Sequence, residues 1–380
     1  MKILVSAESF GYGPIATCLS VIKELKKHDD VSVDFIGSGI SLEQAKLSGY
    51  FDKYYVCDTY DFESLKKFED IFKQYNIFFS SENVNGAIFG LQFIKNTYYV
   101  DNLVWMWDKI PNELGKVKKF FISETFPCQE NYNRVGDVIE SPVFVGPVRD
   151  LKTLDIQNKK NKLVINVGGA SSFLFEQSVV NEFYNKIIND ILSTEEINRF
   201  DSIIICGGSK VIDNLRLEKE KTNIKIATLA NEEYLKVMAE SSHCIMSSGL
   251  GNFIETLNKN INIMYLPAVN YSQLLQLQYY EKMKFGFKNL NWDSFDFYKD
   301  IPMFLDEATG VNMVVENIKQ FNFNDYRDLI NKFIREYLTE PQQESFELRN
   351  KFFDKFDKNA STIIADTIYN ENKEWFYDNT

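Results

Sequence analysis

Carboxylate, hydroxyl and amide side chains gather at a few glycine-bearing points of this 380-residue chain. The densest is Ser247-Ser248-Gly249-Leu250-Gly251-Asn252-Phe253-Ile254-Glu255. An apolar run ends there, a glycine turn follows and a helical pattern begins. Glu255 stands six residues after Gly249, which places it near the first turn of that helix. Such a carboxylate accepts both hydroxyls of a ribose, while backbone N–H groups near Gly251 face a diphosphate. The plain alternative is a helix-start Glu favoured by the helix dipole, worth a fraction of a kcal/mol.

Three further segments carry related chemistry. Val167-Gly168-Gly169-Ala170-Ser171-Ser172 follows a strand-like run and sets two glycines beside two hydroxyls, a common way to hold phosphate or sugar oxygens. Cys206-Gly207-Gly208-Ser209 is another strand end with paired glycines, and a plain turn explains it equally. Pro267-Ala268-Val269-Asn270-Tyr271-Ser272-Gln273 opens a helix with amides at Asn270 and Gln273 that read sugar hydroxyls by donating and accepting. Gln278, further along, fits a solvated helix face. Near the N-terminus, Glu8-Ser9-Phe10-Gly11-Tyr12-Gly13-Pro14 reads as a strand end, a glycine turn and a helix start. It is not a dinucleotide fingerprint, because Ala16 stands where a third glycine belongs, and no Gly-Lys-Ser/Thr makes it a P-loop.

These points need elements to position them. Ile3–Ser6, Val31–Ile36, Tyr54–Cys57, Ile77–Ser80, Tyr98–Val100, Phe120–Ser123 and Val143–Val145 read as strands. Helical patterns lie between them, with Ile15, Leu19, Ile22 and Leu25 on one face and similar stretches at Leu65–Phe72 and Ile88–Ile94. Near-continuous apolar strands alternating with helices imply a parallel sheet covered on both faces. Val148–Lys162 is polar and strand-poor, and reads as a linker. The alternation then restarts with strands at Leu163–Val167, Ser202–Cys206, Ile224–Thr228, Cys244–Ser247 and Ile263–Leu266. After Asp306 the chain reads as helical, ending in one long helix over Ser345–Tyr369. The expected class is α/β: one doubly wound domain over 1–150, a second over 151–344, a cleft between them, and a C-terminal helix of about 345–380 packing back on the first.

Composition narrows the function. With 42 Lys+Arg against 54 Asp+Glu the net charge is −12, which disfavours a non-specific hold on nucleic acid. Hydrophobic residues are 44% and charged residues 25%, as in a folded globular chain. No run approaches the ~20 apolar residues of a membrane span, and the N-terminus lacks a signal-like apolar core. Five scattered cysteines form no CxxC pair, so we expect a reduced, cytoplasmic protein without a disulfide framework. Only His28 and His243 are present, and no metal cluster is expected.

The second-half motifs resemble the C-terminal domain of GT-B glycosyltransferases that use nucleotide sugars, with the peptidoglycan N-acetylglucosaminyltransferase group nearest in pattern. A glycine turn, a Glu six residues on, and a Gln-bearing stretch before Glu-Lys and a Gly match Gly249, Glu255, Gln273, Glu281-Lys282 and Gly286. The resemblance implies two Rossmann-like domains, a ribose contact at Glu255, a donor-sugar contact at Gln273, and a C-terminal crossover helix. Phe10–Leu25 is similar to the family's acceptor-side turn and helix, which implies acceptor contacts at Gly11 and Gly13. Tyr99-Val100-Asp101-Asn102-Leu103-Val104-Trp105-Met106-Trp107-Asp108 resembles a segment of cytosylglucuronate synthases, and implies acceptor contacts at Trp105 and Trp107 unless these are core. Related enzymes place a histidine in the first glycine turn as general base. This chain has Tyr12 there, a poor base at an ordinary pKa near ~10. Carboxylates at strand ends take its place as candidates: Glu8, Asp101 or Glu124, the first two favoured.

The function expected on these grounds is an inverting, metal-independent transfer of a hexose from a UDP-sugar to a small-molecule acceptor, such as a nucleobase. Donor contacts are expected at Gly168, Gly169, Ser171, Ser172, Gly208, Ser248, Gly249, Gly251, Asn252, Glu255, Asn270 and Gln273. No cofactor beyond the nucleotide-sugar co-substrate is expected, and a homodimer is compatible with the sequence. The alternatives are a UDP-sugar 2-epimerase, a lipid-linked acceptor met through Lys116, Lys118 and Lys119, and a non-catalytic nucleotide-sugar-binding protein.

Overall fold

The computed structural model describes residues 1–149, 159–219, 222–286, 289–340, 342–357 and 359–373. The chain divides into two compact units, Met1–Leu151 with Phe356–Thr380, and Lys152–Lys355.

The first unit is built on seven strands: β1 (Lys2–Ala7), β2 (Ser32–Gly37), β3 (Lys53–Val56), β4 (Ile77–Ser81), β5 (Asn96–Asp101), β6 (Lys119–Ser123) and β7 (Pro142–Val145). They pair in parallel in the order β3-β2-β1-β4-β5-β6-β7. Strands β1 and β4 are buried on both faces because helices cover both faces. Helices α1 (Gly13–Leu25), α2 (Gly39–Ser48), α3 (Phe62–Lys66), α4 (Glu69–Phe72), α5 (Val84–Gly90) and α6 (Gln129–Val135) fill the connections. The single helix expected over Leu65–Phe72 is two short ones: Asp61 caps the first, which ends at Lys67, and the second restarts after Phe68. Helices α2 and α6 have no counterpart in the sequence reading; α2 follows Gly39 and has little apolar periodicity.

The second unit restarts the pattern with β8 (Lys160–Asn166), β9 (Ser202–Cys206), β10 (Ile224–Ala227), β11 (Ser241–Met246) and β12 (Asn262–Tyr265). Their order is β10-β9-β8-β11-β12, again parallel. The helices are α7 (Gln177–Ser193), α8 (Ser209–Ile212), α9 (Asn231–Glu240), α10 (Leu250–Thr256), α11 (Tyr271–Lys282), α12 (Glu307–Gln320), α13 (Phe323–Thr339) and α14 (Gln343–Phe353).

The long terminal helix expected over Ser345–Tyr369 is instead two helices in different units. The chain ends α14 at Phe353, and Asp357 packs its backbone against Gly146. It restarts as α15 (Ala360–Asn370). Phe352 of α14 packs on Phe253 and Phe285 inside the second unit, at ring distances of 5.8 and 4.8 Å. Helix α15 buries Ala360, Ile364, Ala365 and Ile368 in the first unit's core beside Ile15, Cys18 and Ile22 of α1. His28 stacks on Tyr369 at 3.8 Å, and Thr362 donates to Glu24 at 3.0 Å. The expected linker is also shorter: Val148 and Arg149 are buried in the first unit, and Lys160–Lys162 open β8. The remainder of that stretch, 150–158, and the tail 374–380 lie outside the described residues.

Candidate active site

In open parallel sheets, ligands bind beyond the carboxyl ends of the strands where the strand order reverses. The first unit reverses between β1 and β4, and the second between β8 and β11. Both points are lined by polar side chains.

In the first unit, Glu8 follows β1. Its backbone N–H donates to Ser81 O at 3.0 Å, its carbonyl accepts from Ser41 Oγ at 2.6 Å, and its Oε1 accepts from Ser9 N–H at 2.8 Å. Burial pushes its carboxyl up to about 7, offset in part by the Ser9 N–H and reinforced by Asp58. Gly11 takes a left-handed φ of +67°, and Gly13 opens α1 with Pro14 behind it. Tyr12 does not present its hydroxyl: the ring packs against the core and the oxygen is buried. Of the catalytic candidates Glu8, Asp101 and Tyr12, Tyr12 is thus one whose polar atom is withdrawn from the surface.

Across the reversal, the residue after β4 is Glu82, which sequence reading missed. Its φ is +54°, a conformation usually left to Gly or Asn, and its N–H donates to Val100 O at 3.0 Å. Asn102 Nδ2 donates to Glu82 Oε1 and, at 2.9 Å, to Thr17 Oγ1. Burial and the neighbouring Asp101 push the Glu82 carboxyl up to about 7, against the Asn102 hydrogen bond and the charge of Arg149, with Glu8 adding to the rise. No sequence signal marked it, because its two carboxylate neighbours are separated from it in sequence and meet it only through parallel pairing.

Asp101 ends β5 and is buried. Burial raises it to about 6, while three donors oppose the rise: Leu103 N–H at 2.6 Å, Trp107 Nε1 at 3.0 Å and Tyr99 Oη at 3.3 Å. Those bonds occupy both oxygens and make Asp101 the anchor of the 102–108 loop. Of the two expected Trp contacts, Trp105 is buried edge-on against Phe126 at 4.9 Å, which makes it core. Trp107 is half-buried with its indole N–H on Asp101. Glu124 is exposed after β6. Lys118 and Lys119 face Glu371 at 3.3 and 3.9 Å, so the basic cluster with Lys116 is partly neutralised.

In the second unit, Gly168 follows β8 with φ +67°, and its N–H donates to Asn166 Oδ1 at 2.8 Å. Its carbonyl accepts from Gly208 N–H at 2.8 Å, joining two of the expected donor loops. Ala170 next to Gly169 also has positive φ, +41°. Ser171 and Ser172 are buried, and Ser172 Oγ accepts from Leu174 N–H at 2.9 Å. Across the reversal, Asn252 donates to Ser247 O and Oγ at 3.1 Å each and accepts from Asn166 Nδ2 at 2.9 Å and Tyr234 Oη at 3.2 Å. Ser248 Oγ donates to Gln273 O at 2.9 Å, and a β-carbon on Gly249 would lie 3.8 Å from Gln273 Nε2. Asn270 caps α11 by accepting from Gln273 N–H at 2.9 Å, while Gln273 Oε1 accepts from Val269 N–H at 3.3 Å. The Gln273 amide nitrogen is therefore its end nearest Gly249.

The residues of this group with partial exposure are Gly249, Gly251 and Asn252. Glu255 is buried and is the sixth residue of α10, which begins at Leu250. It therefore stands one turn deeper than the sequence placed it. Glu281 accepts from Asn291 Nδ2 at 2.8 Å, and Asn289 packs against Gly286, so the matching Glu-Lys…Gly stretch fastens the 289–291 loop. Burial pushes Glu281 up to about 7. His243 contacts Arg199 and Asn262 at 3.0 Å each, and His28 stacks on α15; neither joins a strand-order reversal. Among the described residues no group of three or more His, Cys, Asp and Glu is arranged to hold a metal, and no helix is long and apolar enough to cross a membrane.

No protein-family model matches this chain, and no curated protein does. Solved structures do. MurG of Acinetobacter baumannii aligns over 97% of this chain and 99% of its own at 12% identity and a TM-score of 0.53. The glycotransferase of kitacinnamycin aligns over 97% and 98% at 11% identity and a TM-score of 0.55. The UDP-GlcNAc 2-epimerase of Neisseria meningitidis, bound to UDP-GlcNAc, aligns over 97% and 100% at 14% identity and a TM-score of 0.55. Two parallel α/β units, a terminal helix that returns to the first, and near-complete alignment to these structures show that this chain has the GT-B fold.

Proposed function

We propose that this protein is a UDP-sugar-dependent glycosyltransferase. The observation that carries the reading is the polar lining of both strand-order reversals, with Glu8 and Glu82 in the first unit and Gly168, Ser247, Asn252 and Gln273 in the second. In this reading the second unit binds the nucleotide sugar. Backbone N–H groups at Gly249–Asn252, with hydroxyls from the 168–172 loop, stabilise the leaving diphosphate. Glu255 takes the ribose, and Gln273 meets the sugar with the amide nitrogen that lies nearest Gly249.

The first unit binds a small acceptor near Gly11–Pro14 and Trp107. Glu8 accepts the acceptor's proton as the nucleophile attacks the anomeric carbon, with inversion. A carboxyl raised to about 7 is matched to that task near neutral pH. A nucleobase acceptor, as in the cytosylglucuronate synthases that residues 99–108 resemble, is the first to try. The test is a thermal-shift screen with UDP, TDP, GDP and UDP-sugars, with and without EDTA, followed by acceptor trials with the best donor. A UDP-selective shift that survives EDTA supports the reading; no shift with any nucleotide sinks it.

A second reading, UDP-sugar 2-epimerase, is favoured by one observation. Glu8 and Glu82 follow the paired strands β1 and β4 at the strand-order reversal, and burial raises both carboxyls, so one can remove a proton while the other returns one. Incubating UDP-sugars without acceptor and following C2 configuration by proton NMR separates the two.

A further inference from the structure

Arg149 is the last described residue of the first unit before the segment that leads to the second. It is 4% exposed, and its guanidinium turns back into the first turn of α1. Nη2 donates to Gly13 O at 3.0 Å, and Nη1 donates to Val148 O at 2.9 Å and to Thr17 Oγ1. Thr17 Oγ1 donates to Gly13 O at 3.2 Å and accepts from Asn102 Nδ2. The same Asn102 amide donates to Glu82. One continuous chain of hydrogen bonds thus runs from Arg149 through Thr17 and Asn102 to the carboxylate beside Glu8.

The electrostatics follow the same path. Asp101 on β5 and Glu8 after β1 both disfavour charge on Glu82, and Arg149 is the cation that opposes them among the described groups acting on it. A guanidinium stays charged at any working pH, so its effect on a neighbouring carboxylate is constant. Its planar fork also fixes the Gly13–Thr17 turn, which no flexible ammonium can reproduce fully.

We propose that Arg149 is a positioning residue that favours the ionised form of Glu82 and holds it oriented, and so sets the charge beside Glu8, the proton acceptor of the first unit's site. The role in proton acceptance rests on the reading of that site as the acceptor side; the link between Arg149 and Glu82 does not.

The test reads Glu82 directly. Protein labelled with carboxyl-13C glutamate is titrated by NMR, and the Glu82 signal is assigned by its loss in Glu82→Gln. In Arg149→Met the Glu82 midpoint is expected to rise by about one pH unit or more, a roughly tenfold weaker acid. Arg149→Lys is expected to restore most of that shift. An unmoved Glu82 midpoint in a folded Arg149→Met protein overturns the proposal. Should that variant fail to fold, Thr17→Val keeps the charge and breaks the shared hydroxyl; a midpoint unchanged there overturns the positioning chain. A shifted midpoint in a protein that turns over no nucleotide sugar leaves the coupling standing and removes the functional reading. Sugar transfer with an unmoved midpoint does the reverse.

Discussion

A β-carbon on Gly168 would lie 2.6 Å from the hydroxyl oxygen of Ser247, across the point where the second sheet reverses its strand order. The φ of +67° at Gly168 adds a second reason for glycine there. Ser247 Oγ is itself held by Asn252 at 3.1 Å, so displacing it disturbs the turn that opens α10. Gly168→Ala should cost about 1–3 kcal/mol of stability and weaken UDP binding at least tenfold. Calorimetric titration with UDP and a denaturant melt measure the two effects separately.

Glu8→Gln should lower sugar transfer by roughly 10²–10⁴-fold, the usual contribution of a general base. UDP affinity should stay within about twofold, because the change is confined to the first unit. A variant that transfers sugar at the wild-type rate would remove Glu8 from the mechanism.

The same residue makes a stability prediction. Its folded carboxyl is raised from 4.5 to about 7, so between those values the folded state binds more protons than the unfolded one. Stability is therefore highest below about 4.5 for this group and falls as pH rises through about 7. Glu8→Gln should be more stable than wild type at pH 8, by about 1–2 kcal/mol after allowance for partial exposure, and the difference should vanish by pH 4.5. Melts of both proteins across pH 4.5–8 check the sign.

Asn270→Ala removes the cap of α11 and frees the N–H of Gln273. The expected cost is about 0.5–2 kcal/mol, with weaker UDP-sugar binding and nearly unchanged UDP binding. Equal losses for both ligands would mean that this helix start does not read the sugar.

Ile364 of α15 is fully buried against the core around α1. Ile364→Ala should destabilise the first unit by about 2–5 kcal/mol. Hydrogen exchange should rise in β1, β4 and α1 and stay unchanged in β8–β12.

Glu255→Ala tests the resemblance most directly. The residue is buried one turn into α10, so loss of UDP affinity with an intact melt supports a ribose contact. Loss of both shows that it braces the helix.

Much of this protein was determined by local sequence. Unbroken runs such as Ile3–Ser6 and Ile203–Ile205 have no polar face, and only a parallel sheet covered by helices on both faces buries such a strand. Glycine turns at strand ends mark where loops converge, which is why the sequence places Gly168, Gly208 and Ser248 just beyond strands and Gln273 at a helix start. Glu8 was visible for the same reason, as a carboxylate directly after the first strand. Tertiary structure decided the rest. Burial and Asp101 raise the Glu82 carboxyl while Asn102 and Arg149 oppose the rise, and only parallel pairing and chain reversal bring these residues to it. Arg149 stood in a stretch that reads as linker, because a buried arginine and a solvated one look alike until the partners of the guanidinium are known. Trp105 and Trp107 share one local pattern, yet one is core and the other hydrogen-bonds Asp101, a difference set by which side of the loop meets Phe126. The terminal helix was divided for a similar reason: its two halves pack on different cores, which helical periodicity alone does not register.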